Sequence, residues 1–114
     1  MYWMFYDCSN LINIDLSNFN TKYVKNMENM FFGCSILKSL NLKNSNTKNV
    51  IRMAYIFSLG KNGYSSLTTL DMSLFDTKNV TNMQYMFKGC SGLKSLNSET
   101  FNSQKVTTME GMFN

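Results

Sequence analysis

The sequence predicts an α/β solenoid of 26-residue repeats, with four parallel short strands on one side and short helices or helical turns on the other. Three observations predict it. The pattern M-x-x-[MI]-F recurs at Met1-Met4-Phe5, Met27-Met30-Phe31, Met53-Ile56-Phe57, Met83-Met86-Phe87 and Met109-Met112-Phe113, with first methionines 26, 26, 30 and 26 residues apart. An L-x-x-L-x-L pattern recurs in phase at Leu11-Ile14-Leu16, Leu37-Leu40-Leu42 and Leu67-Leu70-Met72, and then at Leu93-Leu96 with a lapse at Ser98. An aromatic column stands at Phe19, Phe75 and Phe101, with Ser45 the exception, and a valine column is unbroken at Val24, Val50, Val80 and Val106. Such self-similarity marks a repeat protein, here one repeat domain over residues 1–114.

The end of each leucine segment alternates apolar and polar residues, the period of a strand with one buried face. Leu40 and Leu42 point inward while Ser39, Asn41 and Lys43 point outward. The outward residues of the other units are Asn13, Asp15 and Ser17, then Thr69, Asp71 and Ser73, then Ser95, Asn97 and Glu99.

The stretch from each valine has a different period. Val80, Met83, Met86, Phe87 and Cys90 fall three or four apart, which predicts one face of a short helix. Thr107 with Glu110 fits a capping box, and Gly33 and Gly89 stand where a left-handed C-cap would end the helix. The third unit is longer by four residues, within the Gly/Asn/Ser-rich stretch 58–64, which reads as a surface loop. A single unit cannot cover its own apolar face. Stacking puts leucine on leucine and methionine on methionine, with Phe87 near Phe57 and Phe113.

Composition narrows function. Hydrophobic residues make up 44% of the chain, enough for a core, and the net charge of +4 comes from scattered lysines without the dense basic stripe of a nucleic-acid binder. No stretch approaches the roughly 18 apolar residues of a membrane span, so no membrane insertion by this segment is expected, and the start lacks the pattern of a secretory signal. There is no His, which removes the commonest general acid/base and imidazole ligand. No enzyme and no cofactor are expected.

The unit LDMSLFDTKNVTNMQYMFKGCSGLKSL, from Leu70 to Leu96, resembles the repeats of BspA-like leucine-rich-repeat surface proteins, also abundant in mycoplasma lipoproteins. The resemblance covers essentially the whole chain and rests on the D/N-T-K-N-V tract, the M-x-x-M-F core and the G-C-S-x-L exit, in that order. Ser45, Ser98, Gly60 in the cysteine column and the insertion depart from it. The resemblance implies a leucine-rich-repeat solenoid, a bacterial cell-surface or secreted location, and adhesion or recognition of a protein or glycan on a host or neighbouring cell. The chain reads as part of a longer array.

Several side-chain sets could carry chemistry. Cys8, Cys34 and Cys90 share one column. Helices packed about 8–10 Å apart are too distant for a disulfide, whose Cα atoms lie within about 7 Å, and no other soft ligand accompanies them. We read them as small buried residues rather than a metal or disulfide site. Nine of the ten methionines fall in the repeat columns and read as core packing rather than a copper site.

Lys22, Lys48 and Lys78 form a stacked basic column, either a ridge for acidic glycans, anionic surfaces or proteins, or a solvated edge whose like charges prevent aggregation. Thr21, Thr47, Thr77 and Ser103, each after an Asn or Asp, read as turn residues bonding the backbone. The default binding surface is the outward strand face, Asn13, Asp15, Ser17, Ser39, Asn41, Lys43, Thr69, Asp71, Ser73, Ser95, Asn97 and Glu99. It lacks the Trp, Tyr and Arg anchors of tight interfaces, so weak contacts multiplied over many repeats suit it better.

Asp15 and Asp71 would stand about 10 Å apart across two strand spacings, near the separation of an inverting carboxylate pair, but on a flat sheet we read them as solvated. The leading expectation is a binding module; the alternatives are a structural spacer and an intracellular scaffold. No polar caps cover the terminal repeat motifs, so exposed apolar ends and self-association are expected.

Overall fold

The computed structural model describes residues 1–60 and 65–114. Each unit contributes one strand of three residues: β1 Asn13–Asp15, β2 Ser39–Asn41, β3 Thr69–Asp71 and β4 Ser95–Asn97. The central residue of each, Ile14, Leu40, Leu70 or Leu96, turns into the core while its neighbours face solvent, as the period of two demands. β1 pairs in parallel with β2, Ile14 opposite Leu40, and β3 with β4, Leu70 opposite Leu96.

The expected single sheet of four strands is wrong: the strands form two separate two-stranded sheets. The break falls at the unit that carries the four extra residues. Residues 61–64 of the expected 58–64 loop lie outside the described residues. Ser58 is buried and the Leu59 N–H donates to the Lys88 carbonyl, so the chain is still packed against the next unit there.

The expected helices are also wrong. Among the described residues there is none. In every M-x-x-M-F segment the third residue is left-handed: Trp3 has φ 59°, Asn29 56°, Tyr55 58°, Tyr85 52° and Gly111 57°. A left-handed residue ends a right-handed helix at once. The segment becomes a chain of turns, Met30 N–H to Met27 O, Phe32 to Asn29, Cys34 to Phe31.

The intervening N–H groups leave the segment sideways and meet the following unit: Met27 donates to Arg52 O, Asn29 to Ala54, Phe31 to Ile56 and Gly33 to Ser58. The same rungs recur from Met53 to Asn82 O and Tyr55 to Gln84 O, and from Met83 to Thr108 O and Tyr85 to Glu110 O. Isolated parallel bridges tie Asn26 to Arg52, Arg52 to Asn82 and Asn82 to Thr108. Thr107 does not cap a helix; its hydroxyl donates to Thr81 O of the preceding unit. Gly33 and Gly89 are left-handed at φ 76° and 79°, but they link turns. The α/β leucine-rich-repeat solenoid is thereby corrected to a stack of strand-and-turn units joined by backbone ladders.

The core lies between the ladders. Met27, Met30, Val50, Met53, Ile56, Met72, Phe75, Val80, Met83 and Met86 are fully buried. Phe5, Phe31, Phe57, Phe87 and Phe113 stack face to face with successive centroids 5.6, 5.4, 5.8 and 5.3 Å apart, within the offset-stacking range.

Candidate binding surfaces

The outward strand face is exposed along its whole length, with Ser17 and Ser73 half-buried. Its polar groups are largely engaged with one another. The carboxylate of Asp15 accepts from the Ser17 N–H at 2.8 Å and from Asn41 Nδ2 at 3.1 Å; Asp71 accepts from the Ser73 N–H at 2.9 Å. Asn41 and Asn97 take the same position and accept from the Lys43 and Glu99 N–H groups, and Ser39 Oγ donates to Asn13 Oδ1 at 2.6 Å. This column holds the turn that follows each strand.

The Ser17 side chain, then its backbone N–H, then Asn41 hold the Asp15 carboxyl below its ordinary pKa; Ser73 and Asn97 do the same for Asp71. Both carboxyls are therefore ionised at neutral pH, and neither is poised to donate a proton. They also stand in different sheets, so the shared-sheet spacing of about 10 Å inferred for a carboxylate pair does not apply.

The T-K-N-V edge is built differently. Thr21, Thr47 and Thr77 are buried, and their hydroxyls donate across the unit boundary to Asn46 O, Asp76 O and Asn102 O. The Asn46 and Asn102 N–H groups return bonds of 2.7 Å to the Thr21 and Thr77 hydroxyls. Asn20, Asn46, Asp76 and Asn102 each accept from the N–H two residues on. Thr21, Thr47 and Thr77 bond the backbone as the turn chemistry predicts, whereas Ser103, expected to do the same, is exposed and its hydroxyl makes no such bond among the described residues.

Anchored by them, Lys22, Lys48 and Lys78 project into solvent. Lys78 lies 3.4 Å from Asp76. Beside this column an open groove of ≈ 370 Å³ is lined by Lys25, Asn49, Ile51, Asn79, Thr81 and Lys105. The Lys105 ammonium donates to Asn79 Oδ1 at 2.7 Å. Sequence reasoning missed Lys25 and Lys105 because each is the only lysine in its column. Aligning the units on valine places both columns beside it, which was the signal available.

The cysteines lie against the core. Burial, with Cys8 nearby, pushes the Cys34 thiol up to about 11, and burial alone pushes Cys90 to about 11. Their Sγ–H groups donate to Phe5 O and Phe57 O of the preceding units. Among the described residues no three metal-ligating side chains converge, and no helix is long and apolar enough to cross a membrane.

Compared with known proteins, the chain matches, over residues 1–114, the family described as "Mycoplasma protein of unknown function, DUF285". No curated protein and no solved structure matches it. The chain belongs to that Mycoplasma family.

Proposed function

We propose that this member of the Mycoplasma family is a non-catalytic binding module that presents its lysine edge to an anionic glycan on a host or neighbouring cell. The observation that carries the reading is the convergence of Lys25 and Lys105 on one open groove beside the exposed column of Lys22, Lys48 and Lys78. The threonine and Asx bonds fix the edge backbone, so the lysine stems start from an ordered base. Exposed ammonium groups attract a polyanion weakly and additively, and a repeat array multiplies such contacts. The resemblance to BspA-like surface repeats supports a cell-surface or secreted location and an adhesive role. The engaged carboxylates of Asp15 and Asp71, held ionised, support a module without catalysis.

The test is binding of a fluorescent sulfated polysaccharide by the chain and by the double variant Lys25→Gln/Lys105→Gln. The reading expects affinity that falls as salt is raised and a several-fold loss in the variant. Equal binding by both would overturn the assignment of the groove. A second reading, a structural spacer, is favoured by the strand face, whose polar groups hold its own turns; no binding by either protein would select it.

A further inference from the structure

The groove beside the lysine column runs along the repeat axis. One wall is a backbone ladder: the Ile51 N–H donates to Lys25 O, Thr81 to Ile51 O and Thr107 to Thr81 O. The other wall is a side-chain ladder, in which Asn49 Nδ2 donates to Lys22 O, Asn79 Nδ2 to Lys48 O and Lys105 Nζ to Asn79 Oδ1. Lys25 therefore sits on the first rung, and Lys105, two residues before Thr107, on the last. Three steps of about 4.8 Å between paired chains separate their backbones by roughly 14 Å.

Between the two cations the groove gives a neutral ligand little to bond. The Asn49 and Asn79 side-chain amides already donate to Lys22 O and Lys48 O, and the Thr81 hydroxyl donates to Ile51 O. Ile51 stands in the middle with 41% of its surface exposed. On the rim, Lys78 is drawn to Asp76 at 3.4 Å, while Lys22 and Lys48 stand exposed.

The chemistry that fits is a chain with anionic groups at separated points and a carbon-rich stretch between them. A small anion meets one exposed ammonium at a time, a contact that solvent and salt screen. A chain that reaches both ammonium groups makes its second contact intramolecularly, so its affinity rises without any new kind of contact. We propose, resting on the anionic-glycan reading above, that the groove measures length: it takes a linear sulfated glycan laid along the repeat axis, with one sulfate on Lys25, another on Lys105 and a sugar ring over Ile51. The groove thereby selects on the spacing of charges rather than on the identity of the sugar hydroxyls.

The experiment is a fluorescence titration with sulfated oligosaccharides of one backbone and increasing length, from a disaccharide upward, at fixed salt. The proteins are the wild type, Lys25→Gln, Lys105→Gln, the double variant and, as a charge-matched control at an exposed lysine outside the groove, Lys38→Gln. The expected result is a step of about tenfold or more in wild-type affinity at the length that spans both lysines, above the smooth rise with charge. Either groove variant loses the step, the double variant loses no more of it than either alone, and Lys38→Gln keeps it. A wild type that binds long chains with no step, a step that survives in Lys25→Gln and Lys105→Gln, or equal affinity for the desulfated chain overturns the length gauge and leaves glycan binding standing. A wild type that binds no chain of any length overturns the glycan reading itself, and the gauge with it.

Discussion

At residue scale the left-handed position of the M-x-x-M-F segment decides the local structure. Asn and Gly tolerate positive φ, and Asn29 and Gly111 fit it; Trp3, Tyr55 and Tyr85 adopt it at a cost of order 1–2 kcal/mol each. The rungs they donate, Tyr55 to Gln84 and Tyr85 to Glu110, and the stacking of the two tyrosines at 5.1 Å offset that cost. Asn29→Val, a β-branched residue at φ 56°, is expected to destabilise the fold by about 1–3 kcal/mol, while Asn29→Gly leaves stability nearly unchanged. Urea unfolding midpoints of the two variants check this.

The aspartates set a pH dependence. A carboxyl whose folded pKa is depressed contributes stability that is fully present above its unfolded value and lost as pH falls through the lowered one. Asp15 and Asp71 start from 3.8. The Asp15→Asn/Asp71→Asn variant should therefore lose less stability than wild type in thermal melts taken below about pH 4, and show no difference in slope between pH 5 and 7.

At the scale of elements, the threonine cross-links hold units together where no strand does. Thr77 is fully buried; its hydroxyl donates to Asn102 O and accepts from Asn102 N–H. Replacing Thr77 by the isosteric Val keeps the packing and strips both backbone partners, an expected loss of about 1–3 kcal/mol in calorimetry. Thr108→Val, on a half-buried residue whose hydroxyl makes no hydrogen bond among the described residues, serves as the mild control.

The strand centres Ile14, Leu40, Leu70 and Leu96 were legible from alternation, because a three-residue strand with one inward residue leaves no other pattern. The helices were misread for a physical reason. Consecutive turns bring Val80, Met83, Met86 and Phe87 to one face as a helix would, so apolar spacing does not separate the two. The discriminating residue is the left-handed one, and in three of five units it is Trp or Tyr, which carry no such signature.

At the scale of the whole molecule, the repeat, its phase and its phenylalanine stack were legible from the sequence, since stacking identical columns leaves the core no other partner. The single sheet was not, because the insertion before β3 interrupts the pairing of β2 with β3 while the turn ladder runs on from Met53 to Asn82 O. The strand face was legible as a surface but not as a self-bonded one: Asp15 and Asn41 are compatible with recognition until their partners Ser17 and Lys43 are seen. The groove between Lys25 and Lys105 depends on several units being stacked, which no single repeat displays.

The fold stands on the backbone ladder between the turn segments of successive units, and the measurement that reaches it most directly is the scalar coupling across hydrogen bonds by NMR on the isotope-labelled chain. Correlations from the Tyr55 amide nitrogen to the Gln84 carbonyl carbon, and from Tyr85 to Glu110, are the predicted result. Correlations from those amides to carbonyls four residues earlier in the same unit would restore helices and contradict the ladder.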